Sequence, residues 1–563
     1  MALRAAHTVL RCLKQEGIRK LFTIVGDTIL PICDAAVDEG LDLVDARHEA
    51  AALHMADAWT RVTGEPAVAL VTGGPGFANA ISALPPIYAS ESPVILIAGC
   101  GELAERGMYS FQEIDQVGLA APATKGSWMV LDRRRIPDMV ATAFRIALDG
   151  RRGPVHLTIP IDIQEEAAGE DAAPALYPAR DAAWLRRHTG RTLGDPALVE
   201  QAAAALRSAE RPIVIAANAA RPSLSTSALR EFVETTQLPC FTVEQARGLL
   251  SDDHPLCFGY ADPALNETAR YFRAADVVLL LGKRLDHRYR YGRPPFFHPA
   301  AKLIQVDPSP AEIGRNRSVA VGIAGDIGAV VGQLTAAARS GTWSNASAWV
   351  QQLAQTRDAQ RRRLDAMAAD DRPLHPMRVV REIDRYTDEK TVLVVDGGDF
   401  AGWARSYLKA RNAGGWLRLG PLGQLGCGVP YAIAAKLARP AADVLLIIGD
   451  GSFGFYGIEY DTAVRHGAAF TGIMGNDRFW GIDRNFQLAY YGRAVGTELQ
   501  TVRYDTMVDA LGGHGEYVAE AAGLAPAIDR ARASGKPSLV NVTIRNVPCP
   551  LAEAMMARRT GKG

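Results

Sequence analysis

Short, densely apolar runs punctuate this chain, and helical patterns separate them. The first group is KLFTIVG, LDLVDAR, AVALVTGG, PVILIAG and PVHLTIP. A second is RPIVIAAN, VVLLLG and AKLIQVD, and a third is TVLVVDGG, DVLLIIGDG, FTGIMGN and SLVNVTI. Strands alternating with helices predict mostly parallel sheets, so the fold class is α/β with three doubly wound parallel-sheet blocks. The opening stretch MALRAAHTVLRCLKQEG predicts an amphipathic helix that runs into the first strand. The first block closes near Ile163, and a polar, Ala- and Pro-rich linker is expected from Glu165 to about Ala183. The second block fades after Leu334 into a polar, helix-forming stretch around Gln351–Asp365, and the tail from Pro548 to Gly563 reads as short, basic and unpatterned. The expected domains are 1–165, 184–340 and 372–547, with 548–563 as a tail.

Composition narrows the function classes. The chain has 563 residues, 48% hydrophobic and 22% charged, which is globular rather than disordered. Its 62 basic and 62 acidic side chains balance, which argues against bulk binding to nucleic acid or an acidic membrane surface and still permits a local basic pocket. The seven cysteines, Cys12, Cys33, Cys100, Cys240, Cys257, Cys427 and Cys549, are scattered and form no CxxC, so no disulfide framework or zinc site is expected. No segment reads as a signal peptide, no run is apolar enough to span a membrane, and the terminal TGKG does not match a peroxisomal address. A cytoplasmic location is therefore expected.

The densest local chemistry is in LLIIGDGSFGFYGIEYDTAVRHGAAFTGIMGNDRFWG. One apolar strand ends at Gly449-Asp450-Gly451 and the next at Asn476-Asp477. Oxygen ligands at two adjacent strand ends suit a hard cation such as Mg²⁺, which commonly bridges to phosphates. The glycines let backbone approach those phosphates, and the start of the following helix favours anions. By itself GDG reads equally well as a Gly-rich turn whose Asp caps a helix. The spacing decides the reading: 24 residues, 452 to 475, separate Gly451 from Asn476. This resembles the diphosphate-binding motif of the thiamine-diphosphate enzymes, GDG followed by about two dozen residues and NN.

The resemblance implies ligands. The metal would be held by Asp450, Asp477 and the backbone carbonyl of Phe479, with Gly449, Gly451 and Ser452 at the diphosphate. Asp477 stands where the family carries Asn, which adds negative charge beside a diphosphate. Such enzymes also use a Glu on the aminopyrimidine ring that favours the form taking the C2 proton. Here LVDARHEAAALHMADAWTRVTG offers Glu49, in an RHE segment similar to that of acetolactate synthases. Thr72-Gly73-Gly74-Pro75-Gly76 with Asn79 resembles the first-domain cofactor turn. Leu425, in GQLGCG, matches the apolar residue that props the cofactor into its bent form, and Gly397-Gly398 match the loop that reaches the pyrimidine. The blocks would then be pyrimidine-binding, middle and diphosphate-binding domains. The family's site lies between subunits, which implies a homodimer or homotetramer.

Within the family, LLLGKRLDHRYRYGRPPFFHPAAKLIQVDPSPAEIGRN resembles the 2-hydroxyacyl-CoA lyases, as do GDGSFGFYGIE and LQTVRYDTMVDALGGHGEYV. Gly451 departs from that branch, which often has Ser there. Phe111-Gln112-Glu113 sides with the lyases against the YEE of oxalyl-CoA decarboxylases. The implied reaction splits a 2-hydroxyacyl-CoA into formyl-CoA and an aldehyde or ketone, reversibly, with short branched 2-hydroxyisobutyryl-CoA (giving acetone) as the favoured substrate. Candidates for the substrate face are His48, Gln112 and Glu498, of which only His48 and Glu498 can take a proton. Arg411, Lys409, Arg558, Arg559 and Lys562 are candidates for CoA phosphates. Arg151 and Asp307, assigned to the middle domain, match positions where relatives hold an adenine nucleotide, which implies ADP or an empty pocket. Three alternatives stay open: an oxalyl-CoA decarboxylase, an acetolactate-synthase-type carboligase using pyruvate and FAD, and a non-catalytic protein of this fold. A nicotinamide dehydrogenase is disfavoured, because no GxGxxG follows the first strand of any block.

Overall fold

Val277–Leu281 reads VVLLL, and all five side chains are buried. A strand buried on both faces needs helices above and below it, and right-handed crossovers between parallel strands place them there. The computed structural model describes residues 3–168, 190–340, 343 and 346–560 and contains three six-stranded sheets of this kind, parallel throughout.

The first sheet is built from β1 (Lys20–Ile24), β2 (Asp42–Asp45), β3 (Ala67–Val71), β4 (Val94–Cys100), β5 (Ser127–Met129) and β6 (Val155–Pro160), in the order β2-β1-β3-β4-β6-β5. The second comprises β7 (Pro212–Ala216), β8 (Cys240–Thr242), β9 (Cys257–Tyr260), β10 (Val277–Leu281), β11 (Lys302–Asp307) and β12 (Val321–Ala324), in the order β12-β11-β10-β7-β8-β9. The third comprises β13 (Val392–Asp396), β14 (Trp416–Arg418), β15 (Val444–Gly449), β16 (Thr471–Asn476), β17 (His514–Val518) and β18 (Ser538–Thr543). Its order, β14-β13-β15-β16-β18-β17, repeats that of the first sheet strand for strand. Strand order reverses near the middle of each sheet, at β1/β3, β7/β10 and β13/β15. In open α/β sheets ligands bind at the carboxyl ends of such reversal points. Register sharpens this in the third sheet, where Gly449 pairs with Gly475 and Asp396 with Ile448. The segments that begin at Gly397, Asp450 and Asp477 therefore leave the sheet side by side.

The chain forms two compact units. The first holds Met1–Gly190 together with Leu419–Ala438 and Ile458–His466, and the second holds the remainder, including the second and third sheets. In the first unit Val9, Leu10 and Leu13 of the expected N-terminal helix (Ala5–Gln15) join the buried core with Ile97, Phe144 and Leu157. In the second unit one core runs from Phe241, Phe272 and Phe297 to Trp403, Leu445 and Val540. Each such side chain contributes roughly 1.5–3 kcal/mol by leaving water.

The polar stretch after Leu334 includes the helix Ser347–Ala366. The linker expected from Glu165 begins as the end of a helix, Ile161–Glu165, and its positions 169–183 lie outside the described residues. The tail is a correction. It is not unpatterned: Pro550–Arg559 is a helix with Pro at its start, where a missing N–H costs nothing. Arg559 lies over the Tyr490 ring at 4.4 Å and donates to the Tyr491 hydroxyl, fastening this helix to Gly481–Tyr491.

Candidate active site

In the first unit, strand β2 ends at Asp45 and the chain turns through Ala46-Arg47-His48 into the helix Glu49–Thr63. His48 caps that helix, its Nδ1 accepting the Ala50 N–H at 3.1 Å. The helix is Ala-rich and fully buried along most of its length, so it packs closely. Asp57 holds it to the helix Gly428–Ala438: Arg61 donates to Asp57 at 2.6 and 2.8 Å, and the Tyr431 hydroxyl donates to the same carboxylate. Half-buried Leu425 lies three residues before that partner helix.

Strand β3 delivers the turn Thr72–Pro75. Thr28 Oγ1 accepts the Gly73 N–H at 2.8 Å and Gln116 Oε1 accepts the Gly74 N–H at 3.1 Å. Gln116 is anchored in turn on Gly99 O and Thr158, both at 3.0 Å. Pro75 starts the helix Pro75–Ile81, which presents Asn79, and Asn79 Nδ2 donates to Glu49 Oε2 at 3.0 Å. Two residues chosen from sequence thus meet. Gln112 packs onto the turn so closely that a Cβ on Gly74 (φ +57°) would lie 2.5 Å from its backbone oxygen. Gln112 itself sits at φ +61°, and its Oε1 is buried without a hydrogen-bond partner among the described residues. Backbone strain and an orphaned polar atom at one residue are marks of a functional position.

In the second unit the strand ends at Asp396, Gly449 and Asn476 converge. The Gly397-Gly398 loop comes alongside Gly449 and Ser452. Asp450 and Ser452 are buried, at 3% exposure each. Asp450 accepts the Arg478 N–H at 3.1 Å, and Asp477 accepts the Phe479 N–H at 3.1 Å and Asn546 Nδ2 at 2.8 Å. Burial first, and the Asp477 charge second, push the Asp450 carboxyl up to about 7; burial also raises Asp477. A buried carboxyl raised by a neighbouring carboxylate would be relieved by a nearby positive charge. Among the described residues no cluster of three or more His, Cys, Asp or Glu is placed to hold a metal. Two carboxylates completed by a carbonyl and by phosphate oxygens are a donor set suited to Mg²⁺.

The Phe479 carbonyl is available for that role. Residues 478–480 pair antiparallel with 497–499 through Trp480 N–H to Thr497 O and Leu499 N–H to Arg478 O, both 2.8 Å. This pattern turns the N–H and C=O of Phe479 away from Glu498. Glu498, directly opposite, has an exposed side chain.

Gly451 is explained locally. A Cβ there would lie 2.8 Å from two ring carbons of Trp480, the residue after Phe479. Overpacking of this kind costs about 1–3 kcal/mol. Gly451→Ala is expected to displace Trp480 and the Phe479 carbonyl with it and to weaken Mg²⁺-dependent cofactor binding about tenfold, read by fluorescence titration; unchanged affinity would refute the steric account.

Other sequence candidates have been drawn into structural pairs. Arg151 is a correction: it lies in the first unit, just before β6, as a buried ion-pair partner of Glu91, not in the middle sheet. Asp307 ends β11 fully buried and accepts the Ser309 N–H at 3.0 Å. The two residues matched to an adenine nucleotide thus belong to different units. Lys409 and Arg411 both bind Asp253 at 2.7 Å. Arg558 is exposed on the C-terminal helix, and Lys562 lies outside the described residues. For His48 the cap uses the ring's Nδ1 lone pair, so taking a proton there would break the cap.

The comparisons with known proteins identify the family. Models of the thiamine pyrophosphate enzymes match in sequence order: the N-terminal TPP binding domain over residues 3–119, the central domain over 199–334 and the C-terminal TPP binding domain over 396–542. The chain belongs to the thiamine pyrophosphate enzymes. Pyrophosphate and diphosphate name the same cofactor group. Among its relatives in this family, an acetolactate synthase large subunit of Mycobacterium tuberculosis is 36% identical over 543 residues, 96% of this chain and 95% of that one. Proteins named 2-hydroxyacyl-CoA lyase 2 are 33% identical in Bos taurus (90% of this chain, 84% of that one) and 31% in Homo sapiens (90% and 84%). In this thiamine pyrophosphate enzyme the residues expected from sequence at the cofactor fall into two groups: Glu49, Asn79 and Leu425 in one unit, and Gly398, Asp450, Ser452 and Asp477 in the other. Among the described residues no helix is long and apolar enough to cross a membrane.

Sequence reading gave no role to Glu459. It is fully buried in the first unit and accepts the backbone N–H of Arg47 just before Glu49. Its signal was an acidic residue inside the apolar, Gly-rich run GDGSFGFYGIE, followed three residues later by Thr462.

Proposed function

We propose that this thiamine pyrophosphate enzyme cleaves the C1–C2 bond of a 2-hydroxyacyl-CoA, reversibly, releasing formyl-CoA and an aldehyde or ketone, and that its substrate is short and branched, with 2-hydroxyisobutyryl-CoA giving acetone. The observation that supports a CoA ester is a cavity of about 110 Å³ in the second unit, lined by Arg357, Arg361 and Arg405, by Arg247 paired with Asp252, and by Tyr260 and Tyr407. Arg405 is only 8% exposed, and its Nε and Nη2 meet no hydrogen-bond acceptor among the described residues. Its guanidinium stands 5.0 Å from the centre of the Tyr260 ring. The charges of Glu244 and Asp262 act on it through space, but its Nε and Nη2 groups still lack an acceptor among the described residues, and a phosphate would supply one. Pyruvate has no phosphate to place there.

Thiamine diphosphate, when bound, supplies a carbon nucleophile and an electron sink. Mg²⁺ would be held by Asp450, Asp477 and the Phe479 carbonyl, offsetting the negative charge of the diphosphate. Glu49, oriented by Asn79, would exchange a proton with the aminopyrimidine ring. Gln112 would meet the substrate through its orphaned Oε1. The exposed carboxylate of Glu498 is our choice of base for the 2-hydroxyl proton, since His48 is spent on a helix cap. A homodimer or homotetramer, with Glu49 and Asp450 supplied by different chains, is part of the proposal.

A second reading, an acetolactate-synthase-type carboligase, is favoured by the 36% identity over 96% of the chain. One experiment separates them. The protein with thiamine diphosphate and Mg²⁺ is given 2-hydroxyisobutyryl-CoA or pyruvate, and products are read by mass spectrometry. Formyl-CoA with acetone is the expected result. Acetolactate from pyruvate, with every 2-hydroxyacyl-CoA inert, would overturn the proposal in favour of the carboligase.

A further inference from the structure

The loop that carries Glu49 is clamped from one side by a single segment, Ile458–His466, which belongs to the same unit. Arg465 donates to the Asp45 backbone oxygen at 2.8 Å and binds the Asp45 carboxylate, which also bonds His466 Nε2 at 2.9 Å. Two residues further along the loop, Glu459 takes over: its Oε1 and Oε2 lie 3.0 and 3.2 Å from the Arg47 nitrogen. Thr462 Oγ1 donates to Oε2 at 2.6 Å and fixes the carboxylate's orientation. Glu459 and Thr462 are both at 0% exposure, so no water can replace either contact. The His48 N–H contributes as well, and burial is strong enough to push this carboxyl up to about 7.

We propose that Glu459 is a positioning residue for Glu49: its carboxylate fixes the backbone immediately before the helix and so sets the direction in which the Glu49 side chain points. Glu49 leaves that helix at its first position, where the backbone N–H groups have no partner inside the helix. Removing the buried acceptor would orphan the Arg47 N–H and free the loop to shift. A displacement of about 1 Å at a reacting group can cost roughly 100-fold in rate.

The test compares Glu459→Ala with Glu459→Gln and needs no substrate. Exchange of the thiamine C2 proton for deuterium, with thiamine diphosphate and Mg²⁺ bound, is followed by quenched-flow NMR. Backbone amide exchange of the 42–52 peptide is followed by mass spectrometry on cofactor-free protein. Glu459→Ala is expected to slow C2 exchange about 100-fold and to speed amide exchange in that peptide about tenfold. Glu459→Gln keeps an acceptor for Arg47, and the Thr462 hydroxyl can rotate to accept from its amide, so both readouts should stay within about fivefold of wild type. A wild-type C2 rate in Glu459→Ala would overturn the proposal, as would a Gln variant as impaired as the Ala variant. Should Glu459→Ala fail to fold, Thr462→Val carries the test: an intermediate loss of C2 exchange, about tenfold, supports the proposal and an unchanged rate defeats it.

Discussion

Glu49→Gln will leave a folded protein whose turnover and C2 proton exchange are both lost, by about 10²–10⁴-fold, the range that a positioned acid–base group contributes. The prediction follows from where Glu49 sits. It is half-buried, the described bond of its carboxylate is to Asn79 Nδ2, and Gln can keep that bond through its oxygen. The packing of the helix rests on Asp57, Arg61 and Tyr431, which the substitution does not touch. Melting temperature should therefore move by only a few degrees while chemistry stops. Calorimetry beside a deuterium-exchange assay checks both halves, and near-normal exchange would remove Glu49 from its assigned role.

Asp450→Ala should cost even more in cofactor binding. At least 100-fold in Mg²⁺-dependent thiamine diphosphate affinity is expected, because losing a mere hydrogen-bond partner of a metal ligand already costs about 10–100-fold. Asp477→Asn makes the informative contrast. It removes a like charge beside Asp450 and restores the amide that the family's NN motif carries. Asn546 and the Phe479 N–H hold Asp477 in place, and an Asn oxygen can still accept one of these bonds or bind the metal. Relief of repulsion and loss of an anionic ligand oppose each other, so affinity should stay within about tenfold. Isothermal titration of the two variants decides the matter. Equal losses would mean that the charge of Asp477 matters as much as the whole Asp450 side chain, against this expectation.

The candidate cofactor residues were legible because they sit at strand ends. Gly449-Asp450-Gly451, Asn476-Asp477 and Glu49 each follow an apolar run that can be read as a strand, and parallel register does the rest. The missed strands, β5, β8, β9, β12, β14 and β17, are short, and all but β8 lie at sheet edges with one neighbour each. A strand covered on one side only, such as Ser127–Met129, has no reason to be apolar throughout. The candidate cations have partners that sequence does not show. Lys409 and Arg411 look like a basic patch until Asp253, far away in sequence, takes both. Arg151 was placed in the middle domain by resemblance, whereas it lies in the first unit as the ion-pair partner of Glu91. Glu459 escaped because its partner is a backbone N–H, which has no letter in the sequence.

The threading of the two units also limits how such a chain can be recombined. The first unit is not one continuous stretch: it borrows Leu419–Ala438 and Ile458–His466 from the far end of the sequence. A chimaera that exchanged residues 1–190 as a block would part Asp57 from Tyr431 and Arg47 from Glu459, although each half still looked whole in an alignment. Drift in the first block must therefore be matched by drift some four hundred positions later, and homologous exchange between relatives should succeed only when those two short inserts travel with the N-terminal block.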